Sequence, residues 1–429
     1  MPGDSSDAVR VTNTGLSNTR GAAMYVGALL GPSLLLLPGL AAHLAGPASV
    51  LAWAGMLVVS ALLAWVFAAL GVRFGGSGGV VGYVRAGLGT RAGRATGWSF
   101  LAGVVLGAPV VCLIGGAYVA DLVGGGRLTT VVAAVVLLAA VVGLTLGGAR
   151  ASTTVQLVLV AVLVALVAVA VVGGTPSARA ANWTPFLPHG WTSIGSASAV
   201  LMLSFVGWEA IAPLTSHLRD PRRQLPCVIG AAFAVTATVY LALAVTAIGV
   251  LGPAAGSTVP LADLLQAAVG AVGRGLATVA AVALTLAATN AYLTGAAALA
   301  TELTRDRRRG PVDTRLLQLG IVVTGVVLFA AVAFRLVGTA DFVTLPTALF
   351  LAVYLGCTAA AVRVLDGPVR IAAAVAFVAV AVVFVFAFTG WAVAVAMLVA
   401  AAGFLAPSRR DDAFNAVRSR FQRDFSGRT

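Results

Sequence analysis

Glu209 stands in the middle of an otherwise apolar stretch, where few ionisable residues are expected. The stretch LMLSFVGWEAIAPLTSH, at positions 201–217, also contains Gly207 and Pro213, two residue types that weaken a helix. A carboxyl group placed there can accept hydrogen bonds from amides that a broken helix leaves free, or it can carry a proton. We interpret Glu209 first as a brace for such a break, and the proton-carrying role stays open.

A second interruption occurs early in the chain, in GALLGPSLLLLPG at positions 27–39. Gly31 and Pro32 fall inside it, and proline lacks an amide hydrogen and clashes with the preceding helical turn. The unpaired backbone groups of a broken helix are tolerated at membrane depth only beside a cavity or other protein. The pattern predicts either a binding site or a plain proline kink.

The composition is that of a protein with many membrane spans. Hydrophobic residues make up 60% of the 429 residues and charged residues 10%, with a mean hydropathy of +1.02. Soluble domains average about 45–50% apolar residues and about 25% charged residues. A carboxylate at the bilayer centre costs about 2.5–3.5 kcal/mol. All 27 basic residues are arginine, which we attribute to GC-rich coding and not to nucleic-acid binding.

The residues that enzymes and metal sites use are scattered. The three histidines are far apart, the three cysteines have unrelated spacing in or beside apolar spans, and paired carboxylates are missing. The sequence therefore predicts no enzyme active site, no metal site and no disulfide framework.

Twelve apolar stretches have about the 20 residues that a membrane helix needs. The Gly-rich, basic stretch 74–97 is interpreted as a surface or re-entrant connector. The candidate spans are 22–45, 48–70, 98–120, 128–147, 152–173, 192–216, 226–251, 274–302, 314–336, 342–363, 368–387 and 389–406.

The arginines predict the orientation of these spans. With the N-terminus inside, 23 of the 27 arginines fall in cytoplasmic segments, as the positive-inside rule requires. Both termini are then cytoplasmic, in a cell membrane. Residues 1–21 form a polar tail without a cleavable signal, and the basic tail 407–429 is either an amphipathic surface helix or disordered.

The interrupted spans are the first and the sixth, which predicts two inverted repeats of five helices each. The first repeat covers 22–173 and the second 192–363, and two further helices occupy 368–406. In such transporters, half-helix N-termini face an anionic substrate group while freed carbonyls face a cation. An amino acid carries both charges.

Several stretches resemble the amino acid permeases of the amino acid–polyamine–organocation (APC) superfamily. SFVGWEAIAPLTSHLRDPRRQLP resembles their sixth helix and the loop after it, and LLGPSLLLLP resembles their broken first helix. The surface segment before helix 3, ATNAYLTG in span 8 and LFLAVYLGC in span 10 also fit, so the resemblance covers all spans in order. The methionine and branched-chain amino acid exporters are the most similar subgroup. The chain departs from the family's pattern at Pro32, His217 and Asp220.

The resemblance implies an all-α, twelve-helix APC-type fold and an amino acid site at the two breaks. The amides of Gly31 and Ser33 would hold the substrate carboxylate, and carbonyls of span 6 would hold its ammonium group. The residues expected at the substrate are Leu30, Gly31, Pro32, Ser33, Ser204, Phe205, Val206, Gly207, Trp208 and Asn290.

Coupling and gating are expected to involve a second group of polar side chains. The resemblance implies a proton or a sodium ion as the coupling ion, with no other cofactor. A sodium ion would be coordinated by hydroxyl groups of span 8. Charged side chains in the loop after span 6 would form the cytoplasmic gate. These residues are Glu209, Asp220, Arg223, Thr285 and Thr289.

The sequence thus predicts a secondary transporter of neutral, apolar amino acids, working as a monomer or a homodimer in the bilayer. A permease-like carrier of another small zwitterion or amine is one alternative. A non-transporting membrane sensor on the same fold is the other. A two-halved facilitator is disfavoured because the loop after span 6 is short.

Overall fold

The computed structural model describes residues 17–74, 78–148, 153–210, 218, 220–304, 314–336, 338–387 and 397–403. These residues are almost entirely helical. Nine of their helices are long and apolar enough to cross a membrane, so the chain is an all-helical, multi-pass membrane protein.

The first membrane segment, which we call segment 1, consists of two helices joined by a break. Helix α1 covers Asn18–Leu29 and α2 covers Ser33–Ala45. Leu30, Gly31 and Pro32 lie between them outside either helix, and we call these three residues break 1. The missing amide hydrogen of Pro32 prevents the regular helical bond at this position.

Segment 6, residues 192–210, is also interrupted. Helix α8 covers Thr192–Leu201 and tightens into a 3₁₀ turn at Met202–Phe205. Val206 is then extended and Gly207 has φ +151°, and we call these two residues break 6. A second 3₁₀ turn covers Trp208–Ala210. The remainder of predicted span 6, with Pro213, lies outside the described residues.

The other long helices begin and end close to the predicted spans. Most of predicted span 12, residues 1–16 and the predicted tail 407–429 lie outside the described residues, although 397–403 is helical. Helix α1 begins at Asn18, inside the predicted tail 1–21. The long helices are α3 (Ser49–Phe74), α5 (Thr90–Leu122), α6 (Arg127–Leu146), α7 (Thr153–Gly174), α9 (Pro221–Leu251), α11 (Ala271–Thr304), α12 (Thr314–Ala333), α13 (Thr339–Val364) and α14 (Pro368–Phe386).

Two short helices lie between long ones. Helix α4 covers Gly79–Leu88, inside the predicted connector 74–97, and buries Val80, Val81, Tyr83 and Val84. Helix α10 covers Pro260–Val269 and is a separate element that the span count did not include. Both are too short to cross a bilayer and both pack along long helices.

Segments 1 and 6 lie side by side in the centre of the bundle. Helix α2 packs on α8, and α1 packs on α9 and α7. Helices α3 and α9 flank the pair, while α5 contacts α11 and α13 on the other side. The two breaks are therefore enclosed by continuous helices, which supply the surrounding side chains.

Candidate functional site

The two breaks approach each other so closely that one position requires glycine. A Cβ atom on Gly207 would lie 2.8 Å from the carbonyl oxygen of Ala28, near the end of α1. Its φ of +151° is also a conformation that other residues rarely adopt. Gly207 thus permits direct backbone contact between segment 1 and segment 6.

A narrow cavity lies beside the breaks. It is lined by Gly31, Pro32 and Ser33 of segment 1 and by Val206 of segment 6, with α5, α11 and α13 completing the wall. Its volume of about 40 Å³ is little more than the roughly 30 Å³ of one liquid water molecule. A larger ligand can enter only if the surrounding chain moves.

The cavity wall is almost entirely apolar. Gly103 and Gly107 of α5 leave space on one side, and none of the lining residues is charged. Tyr292 of α11 also lines the cavity. Apart from backbone groups, the hydroxyls of Ser33 and Tyr292 are the polar groups of the wall.

Break 1 presents two amides that bind no other backbone group. Within the described residues, the amides of Gly31 and Ser33 have no backbone acceptor, whereas the amides of Leu34 and Leu35 bond to Gly31 and Pro32. The two unpaired amides stand at the N-terminus of α2, where the helix dipole is positive. This is a suitable position for an anionic group.

Tyr240 of α9 connects segment 1 and segment 6 next to the two breaks. Its hydroxyl lies 2.8 Å from the carbonyl oxygen of Leu29 and 2.9 Å from that of Ser204. The ring is stacked on Trp53, with 4.8 Å between centroids, and meets Phe205 edge-on. The sequence analysis did not select Tyr240, because an aromatic residue in a continuous apolar helix gives no signal of a polar contact.

Glu209 and Tyr354 of α13 form hydrogen bonds at break 6. Its Oε2 accepts a hydrogen bond from the Gly207 amide at 2.9 Å and one from the Tyr354 hydroxyl at 2.6 Å. The Tyr354 hydroxyl also lies 3.1 Å from the Phe205 carbonyl oxygen. The carboxyl group therefore contacts the amide that the break leaves free.

The aromatic residues of segment 6 point away from the cavity. Trp208 is fully buried and its indole nitrogen donates a hydrogen bond to Ser60 of α3 at 2.9 Å. Phe205 packs against Trp53 and Tyr240. Leu30 is fully buried as well, and these residues do not belong to the cavity wall.

The predicted polar residues of span 8 face other helices. The Thr285 hydroxyl lies 3.5 Å from the Val111 carbonyl of α5. Thr289 lies beside Cys112, also in α5. The Asn290 side chain accepts a bond from Thr145 of α6 at 3.4 Å. None of the three residues is among those that line the cavity.

Asp220 and Arg223 form a local pair at the start of α9. The Asp220 carboxylate caps the helix by accepting the Arg223 amide, and the two side chains also approach to 3.6 Å. Both are largely exposed. A neighbouring bond joins Gln224 to Asn18 at the start of α1, while His217 and Arg219 lie outside the described residues.

Comparison with known proteins identifies this arrangement. The profile of a family described as amino acid permease matches residues 19–416. The chain belongs to the amino acid permease family. This permease is also 31% identical over 404 residues to an uncharacterized amino acid permease, YecA, of Bacillus subtilis, with 90% of this chain and 93% of that protein covered. The predicted membership of the APC superfamily is confirmed.

Two further relatives carry more specific names. The permease is 28% identical to the L-methionine/branched-chain amino acid exporter YjeH of Escherichia coli, over 50% of this chain and 52% of that protein. It is 23% identical to the methylthioribose transporter of Bacillus subtilis, over 53% of each. The family and these relatives are transporters, so this protein is a membrane transporter and not an enzyme.

Proposed function

We propose that this permease carries neutral, apolar amino acids across the cytoplasmic membrane by alternating access. The observation that supports the proposal is the meeting of two helix breaks at a cavity with apolar walls. The free amides of Gly31 and Ser33 would bind the substrate carboxylate at the positive end of α2. Carbonyls of Ser204, Phe205 and Val206 would face the ammonium group.

The cavity lining favours an apolar side chain. Its lining residues carry no charge, and Gly103, Gly107 and Val206 present only small or aliphatic surface. A cationic or anionic side chain would lose its hydration without a partner, which is strongly unfavourable. The name of the methionine and branched-chain amino acid exporter is consistent with this substrate class, and it also suggests export as the direction.

The closing test is counterflow in proteoliposomes that contain the purified permease. We expect exchange of L-leucine and L-methionine, and little exchange of L-arginine or L-glutamate. Ser33→Leu should abolish the exchange, since the larger side chain fills the cavity. A preference for methylthioribose would contradict an amino acid substrate, exchange of another small zwitterion or amine would favour that alternative, and no flux of any solute would favour a sensor.

We also propose the complete APC-type architecture of twelve helices with two inverted repeats, 22–173 and 192–363. The order of elements supports this arrangement, because each half has a broken segment, a long helix, a short helix and a long helix in succession. The short helices pack reciprocally: α4 contacts α5 and α13, while α10 contacts α11 and α7. Each therefore lies against the last helix of the other half.

For coupling we propose that Glu209 braces break 6 and that the ion is a proton rather than sodium. Neither Thr285 nor Thr289 is among the residues that line the cavity at break 1, which disfavours a sodium site there. For gating, Asp220 and Arg223 are placed at the cytoplasmic end of α9, beside α1. Whether the permease works as a monomer or a homodimer does not affect this site.

A further inference from the structure

The hydroxyl of Tyr240 has one hydrogen and two carbonyl acceptors. The Leu29 and Ser204 oxygens lie 2.8 and 2.9 Å from it, and in the described residues neither oxygen accepts a backbone amide. A phenol can donate to one of them at a time. The other carbonyl then faces a lone pair of the phenol oxygen and lacks a donor, which is unfavourable for a buried acceptor.

A second donor at this point would satisfy the remaining carbonyl. Leu29 lines the cavity, and so do Leu203 and Val206 on either side of the turn that contains Ser204. The Ser33 side chain lies beside the Tyr240 hydroxyl. Ser204 and Tyr240 do not line the cavity themselves, but each has a contact or a chain neighbour that does.

We propose that Tyr240 is a positioning residue that leaves one of its two carbonyls to the substrate ammonium group. Tyr240 supplies a hydrogen to the carbonyl of one segment, Leu29 or Ser204, and the ammonium group supplies a hydrogen to the other. Without substrate, the contact between segment 1 and segment 6 has two carbonyl acceptors and a single hydrogen-bond donor. Binding of the substrate supplies the second donor. This inference rests on the proposed function, because it takes an amino acid as the ligand.

The surroundings of Tyr240 suit this role. Its side chain is fully buried, and stacking on Trp53 and contact with Phe205 hold the ring in place. Helix α9 is continuous through this region, so the hydroxyl is fixed relative to both breaks. Removal of the oxygen alone should preserve the packing of the ring.

The test is a double-mutant cycle between the hydroxyl and the ammonium group. One arm compares the wild type with Tyr240→Phe. The other compares the affinity for leucine with that for 4-methylpentanoate, which lacks the amino group, both measured as inhibition of counterflow. We expect the preference for leucine over 4-methylpentanoate to rise at least tenfold in Tyr240→Phe, because the ammonium group is then the donor for both carbonyls. An unchanged preference would overturn the proposal.

Two further variants separate positioning from stability. Tyr118 is a matched control, because its buried hydroxyl donates to a single carbonyl, that of Leu35 in α2, at 2.8 Å. Tyr118→Phe should leave the preference unchanged. Tyr240→p-aminophenylalanine supplies two hydrogens from one position, so it should serve both carbonyls and lower the preference, opposite to Tyr240→Phe. If it keeps the wild-type preference, the proposal is wrong even where Tyr240→Phe does not fold.

Failure of this inference is distinguishable from failure of the proposed function. If the wild type exchanges no amino acid, the proposed function fails. If the wild type exchanges leucine but the cycle shows no coupling, only the role of Tyr240 is rejected.

Discussion

Glu209 serves break 6 through a single carboxylate oxygen, which accepts both the Gly207 amide and the Tyr354 hydroxyl. The oxygen of a glutamine side chain has the same two lone pairs. We therefore expect Glu209→Gln to retain counterflow within about threefold. Glu209→Ala should lose clearly more, because the Gly207 amide and the Tyr354 hydroxyl then keep only the longer contacts of 3.3 Å with each other and 3.1 Å with the Phe205 carbonyl.

The measurement is counterflow, followed by accumulation of leucine driven by an imposed pH gradient. Asp341→Asn is the control, because that carboxylate also accepts a backbone amide, that of Gly338, but at the exposed start of α13. If Glu209→Gln keeps counterflow and loses the pH-driven accumulation, Glu209 carries the proton and is more than a brace.

The residues at the two breaks were predictable from the sequence only where their type alone gives a signal. Gly31, Pro32 and Gly207 disturb a helix wherever they occur, and Glu209 is conspicuous among apolar neighbours. Tyr240 and Tyr354 sit in continuous helices, and their contacts depend on how distant helices pack. Helix packing also decides that Thr285 contacts α5 and Asn290 contacts α6. Composition alone does not reveal which neighbour a polar side chain meets.

At the scale of the elements, Arg274 connects three helices at one end of the bundle. Its guanidinium lies 3.3 Å from Asp121 at the end of α5 and 3.1 Å from Asp263 in α10. The three side chains are only 22–30% exposed. Arg274→Gln would leave two carboxylates close together without a cation, so we expect a destabilisation of about 1–2 kcal/mol after allowance for partial exposure.

The measurement is the thermal unfolding midpoint of the purified permease in detergent, with Arg73→Gln as the matched control. Arg73 pairs with Asp366 at 3.5 Å, but these side chains are 50% and 86% exposed, and an exposed pair contributes little. Arg274→Gln should lower the midpoint clearly more than Arg73→Gln. Equal shifts of the midpoint would show that the cluster of Arg274, Asp121 and Asp263 does not hold α10 in place.

Hydropathy predicted the long helices well because each has to fill the bilayer with apolar side chains. The short helices escaped this criterion. Helix α10 has 10 residues, about half of a span, and α4 lies in a stretch whose glycines and arginines indicated only a connector. Both are held by packing against long helices, and a count of apolar residues along the chain does not reveal such packing.

At the scale of the whole molecule, the proposed orientation determines which end of the site opens to the cytoplasm. Of the 27 arginines, the four assigned to the outside are Arg127, Arg179, Arg274 and Arg335. The Arg274 cluster would then be extracellular, and the Arg73 pair and the start of α9 would be cytoplasmic. The unpaired amides at the N-terminus of α2 would face the cytoplasmic half of segment 1.

Single cysteines test this orientation in a variant without Cys112, Cys227 and Cys357. Ser177, between α7 and α8, and Thr90, at the start of α5, are both exposed and lie on opposite sides in the proposed topology. A membrane-impermeant maleimide should label Ser177→Cys in intact cells and Thr90→Cys only after permeabilisation. The reverse pattern would show that the molecule has the opposite orientation. Most arginines would then lie on the outer side, contrary to the positive-inside rule.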